Sequence, residues 1–255
     1  MTAAIVLAAG RGSRLGRHAQ HLPKALVRIG GKSLLDWNLG ALAAAGVARV
    51  VAVGGHHAEK LRRPGIELVV APDWRTAGPL ASLLAASPAR FEVPFLVLYA
   101  DSIHHPANLA HLVECEADVA VAGDRDWRVL WEARHEDPLA DAETYRSRDG
   151  RLVEIGRRAQ DYDEIEAQFA GALRFSPRGW REAERAIREA ASPPHDMTGL
   201  IACLVSAGVP VASVEIRGRW CEVDSASDLR LYRERVWSGA EWPHDWRAAA
   251  ERAWR

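Results

Sequence analysis

Glycines and basic residues follow the first apolar run of the chain at a spacing suited to phosphate binding. Residues 4–7 read AIVL, the sequence AAGRGSRLG follows over residues 8–16, and Lys24 comes shortly after. Glycines let the backbone approach a ligand closely, so that successive N–H groups can face phosphate oxygens. Arg11, Arg14 and Lys24 add three cations, which suit a triphosphate of charge about −4 better than a carboxylate. The loop predicts a nucleoside triphosphate site, with an ordinary strand-to-loop turn as the alternative.

Two better-known phosphate-binding motifs are excluded by their spacing. A dinucleotide fingerprint reads G-x-G-x-x-G, and in Gly10, Gly12 and Gly16 the third glycine comes one residue late. A P-loop needs a glycine five residues before its Gly-Lys-Ser, and Leu26 holds that place before residues 31–33. We therefore treat the loop as a separate type of phosphate cradle, in which all three glycines are expected to take positive φ.

An aspartate follows the most apolar strand that the sequence predicts. Asp101 comes directly after FLVLYA at residues 95–100. Open α/β sheets bind their ligands beyond the carboxyl ends of the strands, and this carboxylate would lie there. Asp101 is therefore predicted to bind a metal ion, with a helix cap or a turn as its alternative role.

Apolar runs and segments of helical spacing alternate along the chain in the manner of an α/β fold. Strands are predicted over residues 4–7, 50–53, 67–70, 95–99, 118–122, 129–133, 168–175 and 209–216. Helices are predicted over residues 33–42, 76–84, 177–191 and 199–207. This alternation predicts a parallel sheet whose carboxyl edge carries both the glycine-rich loop and Asp101.

The length of 255 residues suits one large domain. We predict a main domain over residues 1–236, in which a mixed-sheet extension at about 124–175 closes over a second substrate. Residues 237–255 are rich in Trp and are predicted to form a helix docked on the body or on another subunit, which makes a homodimer possible.

Charge and cysteine usage restrict the partners and the compartment. The net charge of −1 and the pI near 6.8 favour neither nucleic acid nor an anionic membrane surface as a partner. Three cysteines without C-x-x-C spacing suggest neither a disulfide framework nor a zinc site. No apolar run approaches the length of about 18 residues that a membrane span requires. The sequence predicts a cytoplasmic protein.

The loop motif, extended by PKALV at residues 23–27, resembles the signature of the nucleotidyltransferases that move a nucleoside monophosphate onto a phosphorylated small molecule. The sequence EVD at residues 222–224, before a Ser-x-x-Asp-Leu helix start, is similar to the second carboxylate motif of the same family. The resemblance implies an α/β, Rossmann-like (GT-A-like) fold with a mixed, mostly parallel sheet flanked by helices. It also implies an enzyme of the EC 2.7.7 type.

Particular roles follow from the loop chemistry and from this resemblance. Arg14, Lys24 and Asp101 are predicted to be catalytic. Mg²⁺ is the implied cofactor, held by Asp101 and Asp224 and completed by phosphate oxygens. An acceptor phosphate is already a competent nucleophile, so no general base is required. The predicted nucleotide-binding residues are Leu7, Ala8, Ala9, Gly10, Arg11, Gly12, Ser13, Arg14, Lys24, Gly78, Pro79, Ser82 and Ala100.

Later runs of the sequence resemble the cytidylyltransferases that act on phosphonates and phosphocholine-like compounds. These runs are residues 131–132, 136–144, 154–156, 161–165, 168–176 and 196–198. The likeness extends to about residue 236 and implies CTP as donor and a small phosphonate or phosphorylated molecule as acceptor. Trp131, Asp141 and Gln168 are the predicted acceptor contacts. A sugar-1-phosphate nucleotidyltransferase and a catalytically inactive, nucleotide-binding regulatory protein are the alternatives.

Overall fold

The computed structural model describes residues 1–76 and 78–248. The strands are β1 (Thr2–Ala8), β2 (Arg28–Ile29), β3 (Lys32–Ser33), β4 (Val47–Gly54), β5 (Glu67–Val70), β6 (Phe95–Tyr99), β7 (Ser102–His104), β8 (Val119–Asp124), β9 (Glu143–Arg148), β10 (Arg151–Arg158), β11 (Gln168–Phe175), β12 (Ala212–Ile216) and β13 (Trp220–Glu222). The α-helices are α1 (Leu34–Ala44), α2 (Pro79–Ala85), α3 (Pro106–Glu114), α4 (Trp127–Arg134), α5 (Pro177–Glu189), α6 (Met197–Ser206) and α7 (Ala226–Ser238).

Nine of these strands form one sheet in the order β5-β4-β1-β6-β11-β8-β12-β10-β9. Within the described residues, β10 and β11 run against the direction of the other seven strands of this sheet. Ile5 of β1 pairs with Val51 of β4 on one side and with Val97 of β6 on the other. The glycine-rich loop after β1 and Asp101 after β6 therefore leave the sheet at the same edge, as the sequence predicts.

Helices cover both faces of the sheet because the strand residues alternate between two apolar clusters. Ala4, Val6 and Ala8 of β1 pack in the cluster that includes side chains of α1, α3, α4 and α7. Ala3 and Ile5 pack on the opposite face, where α2, α5 and α6 lie. The expected mixed, mostly parallel sheet flanked by helices is confirmed.

The strand predicted over residues 129–133 is wrong, because these residues lie in α4. Trp127, Leu130 and Trp131 are buried on one face of this helix, while Val129 is 43% exposed. The positions of the buried residues follow the helical period, and the short apolar run VLW hid that period. In the predicted extension, the sheet is enlarged instead by the antiparallel hairpin of β9 and β10.

The helix predicted over residues 237–255 is also wrong for the part that the structure describes. Helix α7 ends at Ser238 and Gly239 follows in a left-handed conformation with φ of 64°, which stops the helix. From there to residue 248 the chain is irregular, with Trp242 packed on Tyr232 and Trp246 buried against Trp37. Residues 249–255 of this prediction lie outside the described residues.

Candidate active site

The glycine-rich loop folds back on itself after β1. The N–H of Lys24 donates to the carbonyl of Gly10, and the N–H of Leu15 donates to the carbonyl of Gly12. Gly12 and Gly16 have φ of 70° and 53°, as expected, whereas Gly10 does not have positive φ. A Cβ on Gly12 would lie 3.0 Å from the Cβ of Lys24, so the glycine lets the loop close over this lysine.

Lys24 joins the two aspartates that the sequence assigns to a metal. Its Nζ lies 2.5 Å from Oδ2 of Asp101 and 2.6 Å from Oδ1 of Asp224. Nη2 of Arg14 lies 3.2 Å from the same oxygen of Asp224. Burial of Lys24 disfavours its charged form, but the two carboxylates outweigh this effect and raise the pKa of the ammonium group. All four side chains therefore meet at one point of the sheet edge.

A two-stranded ribbon and a capped helix hold the aspartates in place. Strand β13 pairs with β7 beside Asp101, and the N–H of Val223 donates to the carbonyl of Asp101. Ser225 caps α7 in a capping box with Asp228, whose carboxylate also accepts from the N–H of Asp224. Ser225 therefore provides the cap, and the side chain of Asp224 is left to face Lys24. His105 caps α3, so Asp101 has no capping role there.

Arg134, for which the sequence predicts no role, is a buried cation behind this site. Its guanidinium is 1% exposed and lies 3.1 Å from Glu222, 3.1 Å from Asp228 and 3.6 Å from Asp224. Burial and the neighbouring Asp224 raise the pKa of Glu222 to about 7, and Arg134 opposes this rise. The helical spacing of Trp127, Leu130, Trp131 and Arg134 is the signal that could have placed Arg134 on a buried face.

A cavity of about 340 Å³ opens beside Asp101 and Asp224. Its acidic lining residues are Asp101, Asp141, Glu143, Asp196, Glu222 and Asp224. Its aromatic lining residues are Tyr99, Trp131, Phe169 and Trp220. Arg14 is the basic side chain that lines the cavity within the described chain. Burial, and after it the neighbouring carboxylates of Asp196 and Asp141, raise the pKa of Glu143 at this wall.

Some of the remaining predicted residues line this cavity and others do not. Leu7, Ala8, Ala9 and Ala100 are buried, and Arg11 and Ser13 are exposed on the loop. Pro79 and the three predicted acceptor contacts, Trp131, Asp141 and Gln168, line the cavity. Ser82 lines a different cleft with Ala71 and Asp73.

Gly78 has a structural reason to be glycine. A Cβ at this position would lie 2.2 Å from the carbonyl oxygen of His195, and that oxygen accepts the N–H of Leu80. The close approach packs the start of α2 against the segment that leads into α6.

A metal ion at this site would need ligands from the substrate. Within residues 1–76 and 78–248, no group of three or more His, Cys, Asp or Glu side chains could hold a metal ion by itself. The oxygens of Asp101 and Asp224 nevertheless converge on one cation, the ammonium group of Lys24. Two carboxylates fit Mg²⁺ when phosphate and water supply the other oxygens.

Comparison with known proteins identifies the class to which this fold and site belong. Residues 4–162 match the MobA-like NTP transferase domain, and the chain belongs to this family. The predicted nucleotidyltransferase fold and enzyme class are thereby confirmed.

Individual relatives show which nucleotidyltransferases this chain is similar to. CTP:phosphoglutamine cytidylyltransferase of Campylobacter jejuni is 30% identical over 251 residues, which cover 91% of this chain and 99% of the relative. CMP-5'-(3-aminopropyl)phosphonate synthase of Streptomyces rubellomurinus is 38% identical over 135 residues, covering 50% of this chain and 21% of that protein. The predicted resemblance to cytidylyltransferases is confirmed, since the first relative is itself one.

A solved structure shares the whole architecture. The inositol-1-phosphate CTP transferase from T. maritima superposes with a TM-score of 0.73 at 20% identity, covering 92% of this chain and 96% of that one. At this identity the likeness supports the fold. Among the described residues, no helix is both long and apolar enough to cross a membrane.

Proposed function

We propose that this protein transfers CMP from CTP to a small phosphonate or phosphate monoester that carries an ammonium group, with release of pyrophosphate. The observation that carries the proposal is the charge of the cavity wall. Asp141, Glu143 and Asp196 line it. His135 lies 3.4 Å from Asp141 and the N–H of Gly199 donates to Asp196, but no Lys or Arg side chain pairs with the three carboxylates in the described part of the chain. An acceptor ammonium group would relieve their mutual repulsion, which a neutral sugar would not do.

The donor is assigned from the relatives. The Campylobacter jejuni protein matches this chain over nearly its whole length and is a CTP-dependent phosphoglutamine enzyme by name. The Streptomyces rubellomurinus relative forms a CMP derivative of an aminopropylphosphonate. One name gives CTP as the donor and the other gives a CMP product, and both give an acceptor that contains nitrogen, in agreement with the acidic wall.

The proposed reaction needs charge neutralisation more than proton transfer. An acceptor phosphonate is largely dianionic near neutral pH, so its oxygen attacks the α-phosphorus of CTP without a general base, and the bond to pyrophosphate breaks. Lys24 and Arg14, which meet at Asp224, are the proposed cations that neutralise the charge developing on the α-phosphate. The glycine-rich loop would hold the triphosphate in line with the acceptor.

Asp101 and Asp224 are the proposed ligands of Mg²⁺, together with phosphate oxygens of the nucleotide. When bound, the ion would supply positive charge to the phosphates at the reacting centre. The three cysteines, Cys115, Cys203 and Cys221, are unpaired, which supports the proposed cytoplasmic location. A homodimer stays a prediction.

The test is pyrophosphate release from each of the four NTPs with a matched pair of acceptors. 2-Aminoethylphosphonate and ethylphosphonate differ in the ammonium group, so we expect kcat/KM to be about 10- to 100-fold higher for the former. CTP should be preferred over ATP and GTP. Equal use of the two phosphonates would overturn the ammonium assignment.

Two further acceptor outcomes separate the alternatives. Faster turnover of glucose 1-phosphate would favour a sugar-1-phosphate nucleotidyltransferase. If no combination of NTP and acceptor releases pyrophosphate, with phosphocholine included among the acceptors, the result would favour a regulatory protein that binds nucleotide. Glu143→Gln should weaken the preference for 2-aminoethylphosphonate, because it removes one charge from the wall while keeping the size of the side chain.

A further inference from the structure

A buried carboxylate at the end of β8 connects three separate parts of the chain. Asp124 is fully buried, and its Oδ2 accepts the indole N–H of Trp220 at 2.8 Å and lies 2.9 Å from Nε2 of His244. Its Oδ1 accepts the backbone N–H of Gly218 at 2.8 Å. No Lys or Arg side chain pairs with Asp124 among the described residues. Its Oδ1 also accepts the backbone N–H of Asp126 at 3.0 Å. Its other hydrogen bonds join the end of β8 to the segments around residues 218–220 and 244.

His244 belongs to a segment that wraps the back of the site, residues 242–247, which we call the C-terminal strap. The N–H of Arg219 donates to the carbonyl of Pro243 at 2.7 Å. A Cβ on Gly218, where φ is 58°, would lie 2.3 Å from the same oxygen, so only glycine allows this close approach. Trp246 fixes the strap in the core.

Trp220 carries this connection to the cavity. Its ring stacks on His104 with centroids 5.8 Å apart and lies 6.2 Å from the ring of Trp131, and both tryptophans line the cavity. Glu222, two residues further along the same ribbon strand, lines it too. A change in the orientation of Trp220 would therefore change the cavity wall.

We propose that Asp124 and His244 are positioning residues for the acceptor, which fix the ring of Trp220 in the cavity wall through its indole N–H. This proposal rests on the proposed function, because it takes the cavity to be the acceptor site. Neither residue touches the substrate, and the C-terminal strap becomes part of the acceptor site through them. Acceptor binding should then depend on a hydrogen bond outside the cavity.

The test separates the acceptor from the nucleotide in steady-state kinetics with CTP and 2-aminoethylphosphonate. In Asp124→Asn the amide has one acceptor oxygen and cannot serve both Gly218 and Trp220. We expect the KM for the phosphonate to rise about tenfold, with the KM for CTP within about twofold of wild type. Asp118→Asn, directly before the first residue of the same strand and partly exposed, is the matched control and should leave both KM values unchanged.

A double-variant cycle identifies the indole N–H as the link. Trp220→Phe keeps a ring and removes the donor, so Asp124→Asn should have little further effect on the acceptor KM in that background. An equal effect of Asp124→Asn in both backgrounds would overturn the proposal. If Asp124→Asn does not fold, as judged by circular dichroism, His244→Phe tests the same link, and an unchanged acceptor KM in that variant would overturn it.

A spectroscopic readout distinguishes this proposal from the proposed function. The ¹⁵N indole resonance of Trp220, assigned by its loss in Trp220→Phe, should shift in Asp124→Asn and stay in place in Asp118→Asn. An unmoved resonance overturns the positioning role whether or not the protein is active. Absence of CMP transfer by the wild-type protein would instead overturn the proposed function.

Discussion

Replacing Arg134 by Met should destabilise the fold strongly, because the guanidinium is the buried cation of a three-carboxylate cluster. Met keeps much of the side-chain length and removes the charge. Glu222, Asp224 and Asp228 would then lie close together, and Asp228 is 4% exposed. Asp224 keeps Lys24 as a partner at 2.6 Å, whereas Asp228 has no other cation within ion-pair distance in the described chain.

The expected loss is about 3–5 kcal/mol in the free energy of unfolding, which is typical when one partner of a buried ion pair is removed. Urea unfolding followed by far-UV circular dichroism measures it. Arg128→Met on the same helix is the matched control, since Arg128 is exposed and pairs with the exposed Glu132. The control should unfold at the wild-type midpoint.

A wild-type midpoint for Arg134→Met would refute the reasoning. It would mean that the carboxylates relax into water or take up protons at little cost, so that Arg134 is not required to hold them. Activity gives a second readout. Asp224 loses a neighbour at 3.6 Å but keeps Lys24, so turnover should fall less than in a variant of Lys24 itself.

Three further predictions concern the reacting centre and its surroundings. Lys24→Ala should lower kcat by about 10²-fold at saturating CTP, because it removes a charge aimed at the reacting phosphate, and near wild-type turnover would show that the loop has been misinterpreted. Asp101→Asn, Asp224→Asn and the double variant should lose similar activity, and each single change should raise the Mg²⁺ concentration needed; an unchanged Mg²⁺ dependence in Asp224→Asn would remove that residue from the metal site. Burial lowers the pKa of His104 to about 4 from its ordinary value of 6.5. As the pH falls below about 6.5, the unfolded chain takes up a proton at this residue and the folded protein does not, so the free energy of unfolding decreases until the pH reaches about 4. Between pH 7 and pH 5, urea unfolding should therefore show about 2 kcal/mol less loss of stability for His104→Phe than for wild type, and equal losses would contradict the neutral, buried state of His104.

The sequence predicts those parts of the site whose residues lie next to a strand or a helix start in the chain. The loop of residues 8–16 leaves β1 directly, and Asp101 follows β6 directly, so the parallel pairing of these strands brings both to one edge. The cap of α7 was equally visible, because Ser225 and Asp228 show the spacing of a capping box. Each of these signals lies within a few residues of the feature that it predicts.

The parts that escaped prediction depend on contacts between distant segments. The partners of Arg134 lie about 90 residues further along the chain, and nothing near Arg134 in the sequence indicates them. Asp124 likewise bonds to Trp220 and His244, which no local pattern connects with β8. Trp246 was expected in a helix, yet it is buried in an irregular segment because its ring fills a gap beside Trp37 and Tyr232. Tertiary packing, and not local propensity, decides these positions.

The charged residues of the cavity bear on the orientation in which the proposed acceptor would bind. Arg14 and Lys24 pair with Asp224 in the cavity lining next to the glycine-rich loop, and Asp141, Glu143 and Asp196 contribute further negative charge to that lining. On the proposed function, the ammonium group of the acceptor would lie beside Asp141, Glu143 and Asp196, and its phosphonate would face Arg14, Lys24 and the Mg²⁺ proposed at Asp101 and Asp224. That orientation presents the phosphonate oxygen to the nucleotide phosphates. On the proposed function, this arrangement would give selectivity without a close steric fit, because an acceptor without an ammonium group gains nothing from the acidic wall and leaves its charges unpaired.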